Sequence, residues 1–117
     1  MRVMIVDDQA PFREAARELL EARGYVVVAD VEDGSDALAE AARLTPDAVL
    51  LDVRLGSQNG LDLAQALTRA QPGLAVLLVS ATGQDASAER VRACGARGLL
   101  RKDQLVFADL QAFWRDD

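Results

Sequence analysis

Five short apolar runs recur along the chain. Val3-Met4-Ile5-Val6 leads into Asp7-Asp8, Tyr25-Val26-Val27-Val28-Ala29 follows Gly24, and Ala48-Val49-Leu50-Leu51 leads into Asp52. Leu74-Ala75-Val76-Leu77-Leu78-Val79 leads into Ser80, and Gly98-Leu99-Leu100-Arg101 into Lys102. Such runs are short and lack a helical period, so they read as strands, and the run into Asp52 as one buried on both faces. The stretches between them carry a helical period instead. Pro11 opens the first helix at a position where proline is tolerated, Phe12, Ala16, Leu19 and Leu20 share one face, and Gly24 closes it. Ala37, Leu38, Ala41 and Leu44 form a second stripe after the cap residues Asp33 to Asp36, and Thr45-Pro46 ends it. Gly56 to Gly60 is a loop, with Asn59-Gly60 as a plain turn. Leu63, Ala64, Leu67 and Ala70 mark the third helix, stopped by Pro72-Gly73. A poorer fourth helix spans Asp85 to about Cys94. Asp103 can cap a fifth, with Val106, Leu110, Phe113 and Trp114 facing inward.

A strand followed by a helix, repeated through the whole chain, predicts an α/β fold: one parallel sheet with helices on both faces. Right-handed crossovers prune the topologies. The strand order 2-1-3-4-5 is taken from known small doubly wound sheets, not from the residues, and ligands in such sheets bind beyond the carboxyl ends of the strands. In that order strands one, three, four and five are neighbours. Their polar ends, Asp7, Asp8, Asp52, Ser80 and Lys102, then converge on one edge. Each residue alone is ordinary turn or surface chemistry. Together they form a coherent group. Converging carboxylates repel, so they raise their own pKa values or recruit a cation, and oxygen ligands suit a hard ion such as Mg²⁺. A carboxylate can attack phosphorus to form an aspartyl-phosphate, while a lysine and a divalent ion neutralise the transferring oxygens. Asp52, alone at the end of a central strand, is the candidate nucleophile, and Asp7 and Asp8 are the candidate metal holders.

Composition narrows the partners. The 117 residues suit a single domain over residues 1–117. One cysteine, Cys94, excludes a disulfide framework and fits a reducing cytoplasm, so a cytoplasmic location is expected. No apolar run reaches membrane-spanning length, and no signal-like stretch opens the chain. The net charge is -6 with no run of Lys or Arg, which argues against a nucleic-acid surface in this domain. The chain contains no histidine, so any histidine chemistry must come from a partner.

The residues that carry this chemistry resemble the receiver domain of two-component response regulators, from Arg2 to about Trp114. The matching stretches are Val3 to Asp8, Asp47 to Leu55, Asn59 to Leu63, Ser80-Ala81 and Gly95 to Lys102. The resemblance implies a flavodoxin-like (βα)5 three-layer sandwich. It implies that Asp52 accepts a phosphoryl group from the phosphohistidine of a sensor histidine kinase or phosphotransfer protein. It implies Mg²⁺ on Asp8, Asp52 and the backbone carbonyl of Arg54, with Asp7 acting through water. Ser80 would bind the phosphoryl group and pull its loop inward, and Lys102 would pair with the phosphoryl oxygens. The domain would catalyse only its own phosphorylation and hydrolysis, and signal by a population shift. Three positions depart from the family pattern. Leu99 replaces a Tyr or Phe that turns inward on activation. Asp103 replaces a proline that follows a cis peptide, so Lys102-Asp103 is expected trans. Gly56 replaces a common proline, so a more mobile loop is expected. Arg54 and Thr82 are expected to flank the path of the attacking water and tune the phosphoryl lifetime.

Two other readings compete. A receiver-like interaction domain working without phosphorylation would fit loss of Asp8, Asp52 or Lys102, yet all are present. A free-standing Asp-nucleophile phosphatase would show a second Asp two residues after the nucleophile, where this chain has Arg54. The output is expected to pass to a downstream protein or a fused effector domain. No output domain follows Trp114 in the sequence, so either a stand-alone receiver or the receiver part of a longer regulator is expected. Arginines 90, 92, 97 and 101 leave room for a homodimer through the fourth helix, fifth strand and fifth helix.

Overall fold

The computed structural model describes residues 1–115; Asp116 and Asp117 lie outside the described residues. The long elements are β1 (Arg2–Val6), α1 (Ala10–Ala22), β2 (Val26–Val31), α2 (Gly34–Leu44), β3 (Ala48–Asp52), α3 (Gly60–Ala70), β4 (Ala75–Ser80), α4 (Ala88–Ala93), β5 (Gly98–Arg101) and α5 (Leu110–Trp114). The sheet is parallel throughout in the order β2-β1-β3-β4-β5, the expected doubly wound arrangement. Register brings the strand ends level: Val6 lies beside Leu51, Asp52 beside Val79, and Ser80 beside Arg101.

The apolar runs fold this way because alternate residues of a strand point to opposite faces. Met4, Val6, Val49, Leu51, Val76 and Leu78 pack under the α2, α3 and α4 side. Val3, Ile5, Leu50, Leu77 and Val79 pack against Ala16, Leu20, Leu110 and Trp114 on the α1 and α5 side. Both faces are covered, so both alternating sets must be apolar. Cys94 is a buried core residue, as expected. Trp114 covers the core and meets Tyr25 edge-on at 5.3 Å between ring centres.

Several expectations need correction. The fourth helix starts at Ala88, not Asp85, because Ser87 is its cap and accepts the Arg90 amide hydrogen bond at 3.2 Å. Asp103 does not cap the last helix. Residues Lys102–Phe107 wind as a 3-10 helix, and the Asp103 carboxylate takes a hydrogen bond from Arg101 at 2.8 Å. The tighter winding turns Leu105 inward and leaves Val106 exposed. Leu38 and Ala70 likewise face outward on their helices. Asn59-Gly60 is more than a turn. Asn59 caps α3 by accepting the Leu61 amide at 2.8 Å, and Gln58–Asn59 pairs antiparallel with Arg54–Leu55. The Lys102-Asp103 peptide is trans, as expected: no cis bond occurs among the described residues.

Candidate functional site

Asp7 and Asp8 leave the end of β1, and the two side chains part. Asp7 is fully buried; one carboxylate oxygen accepts the Gln9 amide at 2.8 Å and the other lies 2.7 Å from the Lys102 ammonium. Asp8 is exposed and accepts the Gly56 amide at 3.0 Å. That contact ties the loop after β3 to the end of β1, and Gly56 takes φ 60° to make it. Asp52 closes β3 and is only 5% exposed. Its Oδ1 accepts the Arg54 amide at 3.0 Å, and its Oδ2 lies 3.1 Å from Lys102 Nζ. One oxygen from each of Asp7, Asp8 and Asp52 falls within 4.8 Å of the other two.

Lys102 leaves β5 and crosses to this cluster. Besides the two carboxylates, its ammonium meets the Gln9 side-chain oxygen at 3.3 Å and sits 4.5 Å above the Phe12 ring. Ser80 is buried at the end of β4, and its hydroxyl accepts the Gly83 amide at 2.6 Å. The register therefore brings together Asp7, Asp8, Asp52 and Lys102, with Ser80 on the adjacent strand end. Leu99 lies elsewhere: it is half-buried on β5, packs against the α2, α3 and α4 side of the core, and does not line the pocket.

Burial raises the Asp52 pKa above the ordinary carboxylate value. The Arg54 amide opposes this, the Asp7 charge adds to it, and Lys102 opposes it. For Lys102, burial pulls the pKa down, but its hydrogen bonds and charge contacts with Asp7 and Asp52 outweigh that and leave it raised. The site thus holds an excess of negative charge with a single ammonium at its centre. Its donors are all oxygen and open onto a pocket of about 300 Å3, lined by Asp8, Gln9, Asp52, Arg54, Thr82 and Lys102 among others. This set fits a hard divalent cation.

Gly60 packs against the backbone that follows Asp52. A methyl group there would come within 2.7 Å of the Val53 Cα and 2.8 Å of the Val53 carbonyl oxygen. The backbone following Asp52 can therefore pass only a glycine. Reading the sequence alone missed Gln9, Phe12, the Gly56 amide and Asp85 as members of the site. Phe12 had a visible role as a core-facing helical residue. Backbone amide donors leave no mark in the sequence. Asp85 lies five residues past Ser80, but acids in loops are common and gave no specific signal.

The sequence profile of the response regulator receiver domain matches residues 3–111. The response regulator GacA of Pseudomonas aeruginosa is 33% identical over 118 residues, covering 97% of this chain and 55% of GacA. The chain spans about half the length of GacA and of several other curated relatives. The signal receiver domain of the putative response regulator NarL from Mycobacterium tuberculosis superposes with TM-score 0.83 at 33% identity, covering 98% of this chain and 97% of that one. A response regulator from Burkholderia pseudomallei, with a phosphorylated aspartic acid, calcium ion and citrate, superposes with TM-score 0.86 at 27% identity, covering 97% and 66% of the two chains. Among the described residues no helix is long and apolar enough to cross a membrane. By sequence, by sheet order and by the acids at its strand ends, this chain belongs to the response regulator receiver domain family, the phosphorylation-switched signalling modules of two-component systems.

Proposed function

We propose that Asp52 is the phosphoacceptor and receives its phosphoryl group from a phosphohistidine on a sensor kinase or phosphotransfer protein. The observation that carries this reading is the Lys102 ammonium, 3.1 Å from Oδ2 of the buried Asp52 carboxylate, in a pocket that Asp8 and Asp85 also line. In the step, an Asp52 oxygen forms a bond to phosphorus. The phosphorus–nitrogen bond of the donor breaks, its electron pair stays on the imidazole, and that nitrogen takes a proton. Lys102 draws the phosphoryl oxygens toward it as they move. Asp8, Asp52 and the backbone carbonyl of Arg54 would hold Mg²⁺, with Asp7 acting through water. When bound, Mg²⁺ neutralises the phosphoryl oxygens. Three carboxylates against one ammonium leave two negative charges, which a divalent ion balances. The phosphorylated aspartic acid and calcium ion of the similar Burkholderia pseudomallei regulator support this reading.

Ser80 transmits the event. Its hydroxyl oxygen accepts the Gly83 amide, which leaves the O–H free to donate to a phosphoryl oxygen, and closing on that oxygen would draw the loop after β4 inward. The two loop arrangements are the two states of the switch. With Leu99 in place of a ring, that switch runs without an aromatic rotation at β5. The chemistry stays on the chain, as phosphorylation and hydrolysis of Asp52 with no external substrate. The output passes to an effector, fused or separate. Borohydride reduction of the phosphorylated protein, followed by peptide sequencing, tests the acceptor: homoserine is expected at position 52. Homoserine at position 7 or 8 instead would reassign it.

A further inference from the structure

Arg54 and Asp85 face each other across the mouth of the pocket. Arg54 stands on the ribbon after β3, and Asp85 on the loop between β4 and α4. The Arg54 guanidinium lies 2.9 Å from Asp85 Oδ1. The two ends differ: the Arg54 side chain is 80% exposed, whereas that of Asp85 is 9% exposed. Thr82 sits on the other Asp85 oxygen at 3.4 Å, and its hydroxyl also accepts the Gln84 amide at 3.1 Å. Asp85 is thus the fixed end of the pair and Arg54 the movable one. The Arg54 backbone is held separately, through its amide on Asp52.

We propose that Asp85 is a positioning residue for phosphoryl transfer: it holds the Arg54 guanidinium across the pocket mouth and so limits how readily an anionic phosphodonor reaches Asp52. A near-buried carboxylate needs a cation, and among the described residues its ion-pair partner is Arg54. While Arg54 serves Asp85, it does not serve an incoming phosphate. A pair with one exposed end holds weakly, so a phosphoryl dianion competes for the same guanidinium. The inference rests on Asp52 as acceptor and concerns the approach to it. With acetyl phosphate, the phosphorus–oxygen bond to the acetyl group breaks, acetate leaves with the electron pair, and the bond from Asp52 forms. Both donor and product are anions, so the rate is sensitive to where Arg54 points.

The test is the phosphorylation rate with acetyl phosphate and Mg²⁺, read by intact-protein mass on the whole chain. The variants are Asp85→Asn, Arg54→Ala and the pair together, each first checked for an unchanged melting transition. Asp85→Asn should speed phosphorylation several-fold, and the gain should vanish in the Arg54→Ala background. A gain that persists without Arg54 would show a plain field effect of Asp85 and overturn the proposal, as would no gain at all. The Arg54 Nε resonance in NMR reads the clamp without any phosphorylation. It should shift on Asp85→Asn. If that shift occurs while wild type gains no phosphoryl group, the acceptor reading fails and the clamp stands. If phosphorylation proceeds and the resonance is unmoved, the clamp fails and the acceptor reading stands.

Discussion

The interior of β3 and its last residue follow opposite rules. Val49, Leu50 and Leu51 are apolar, at most 1% exposed, and packed on both faces of the sheet. The next residue, Asp52, is nearly as buried, yet it is a carboxylate set against Asp7 and Lys102. Every group in the first stretch gains from burial. At the edge, burial and the Asp7 charge both work against the ionised acid. A single step along one strand separates the part that stabilises the fold from the part that holds electrostatic conflict, which the proposed cation and phosphoryl group would answer.

The contrast can be broken from either side, and the largest effect should come from the interior. Leu50→Ala removes a fully packed side chain and should cost about 2–5 kcal/mol of stability, measured by urea unfolding. A loss well under this would mean that the core collapses around the gap. Gly60→Ala should cost about 1–3 kcal/mol, because its methyl meets the backbone of Val53. It should also slow phosphorylation, since the same backbone carries Asp52. An unchanged rate in a destabilised variant would separate this backbone packing from the chemistry.

The smallest and most telling change is Asp52→Asn in Mg²⁺-free buffer, which should raise stability near neutral pH. The sign follows from the raised pKa. The folded form holds the Asp52 proton more tightly than the unfolded chain does. This contribution is complete below the ordinary carboxylate value of 3.8 and is lost as pH rises through the folded pKa. The stability gap favouring the variant should therefore open with rising pH and close in acid. A gap of the opposite sign would mean that Lys102 outweighs burial at this position.

The division also explains what the sequence could reveal. Runs such as Val3 to Val6 and Leu74 to Val79 have no helical period and end on polar residues, so the strands and their polar ends were legible, whereas the strand order, and with it the convergence of the acids, came from known doubly wound sheets. The second half was harder to read. Residues 102–107 carry an apolar pattern compatible with an ordinary helix, yet they wind as a 3-10 turn, which exchanged Val106 for Leu105 in the core. Asp103 looked like a cap because an acid stands there before an apolar helical pattern; its actual partner is Arg101, two residues back, and such a local ion pair leaves no periodic trace. The site's inner contacts were hidden for a similar reason. The Gly56 amide on Asp8 and the Arg54 pair with Asp85 depend on loops that no pattern specifies.

The most direct test of the account is the mass of the intact protein after incubation with acetyl phosphate, with and without Mg²⁺, on wild type and Asp52→Asn. The account predicts the gain of one phosphoryl group in wild type, dependent on Mg²⁺ and absent in the variant. An equal gain in Asp52→Asn, or none in wild type under any condition, would contradict it.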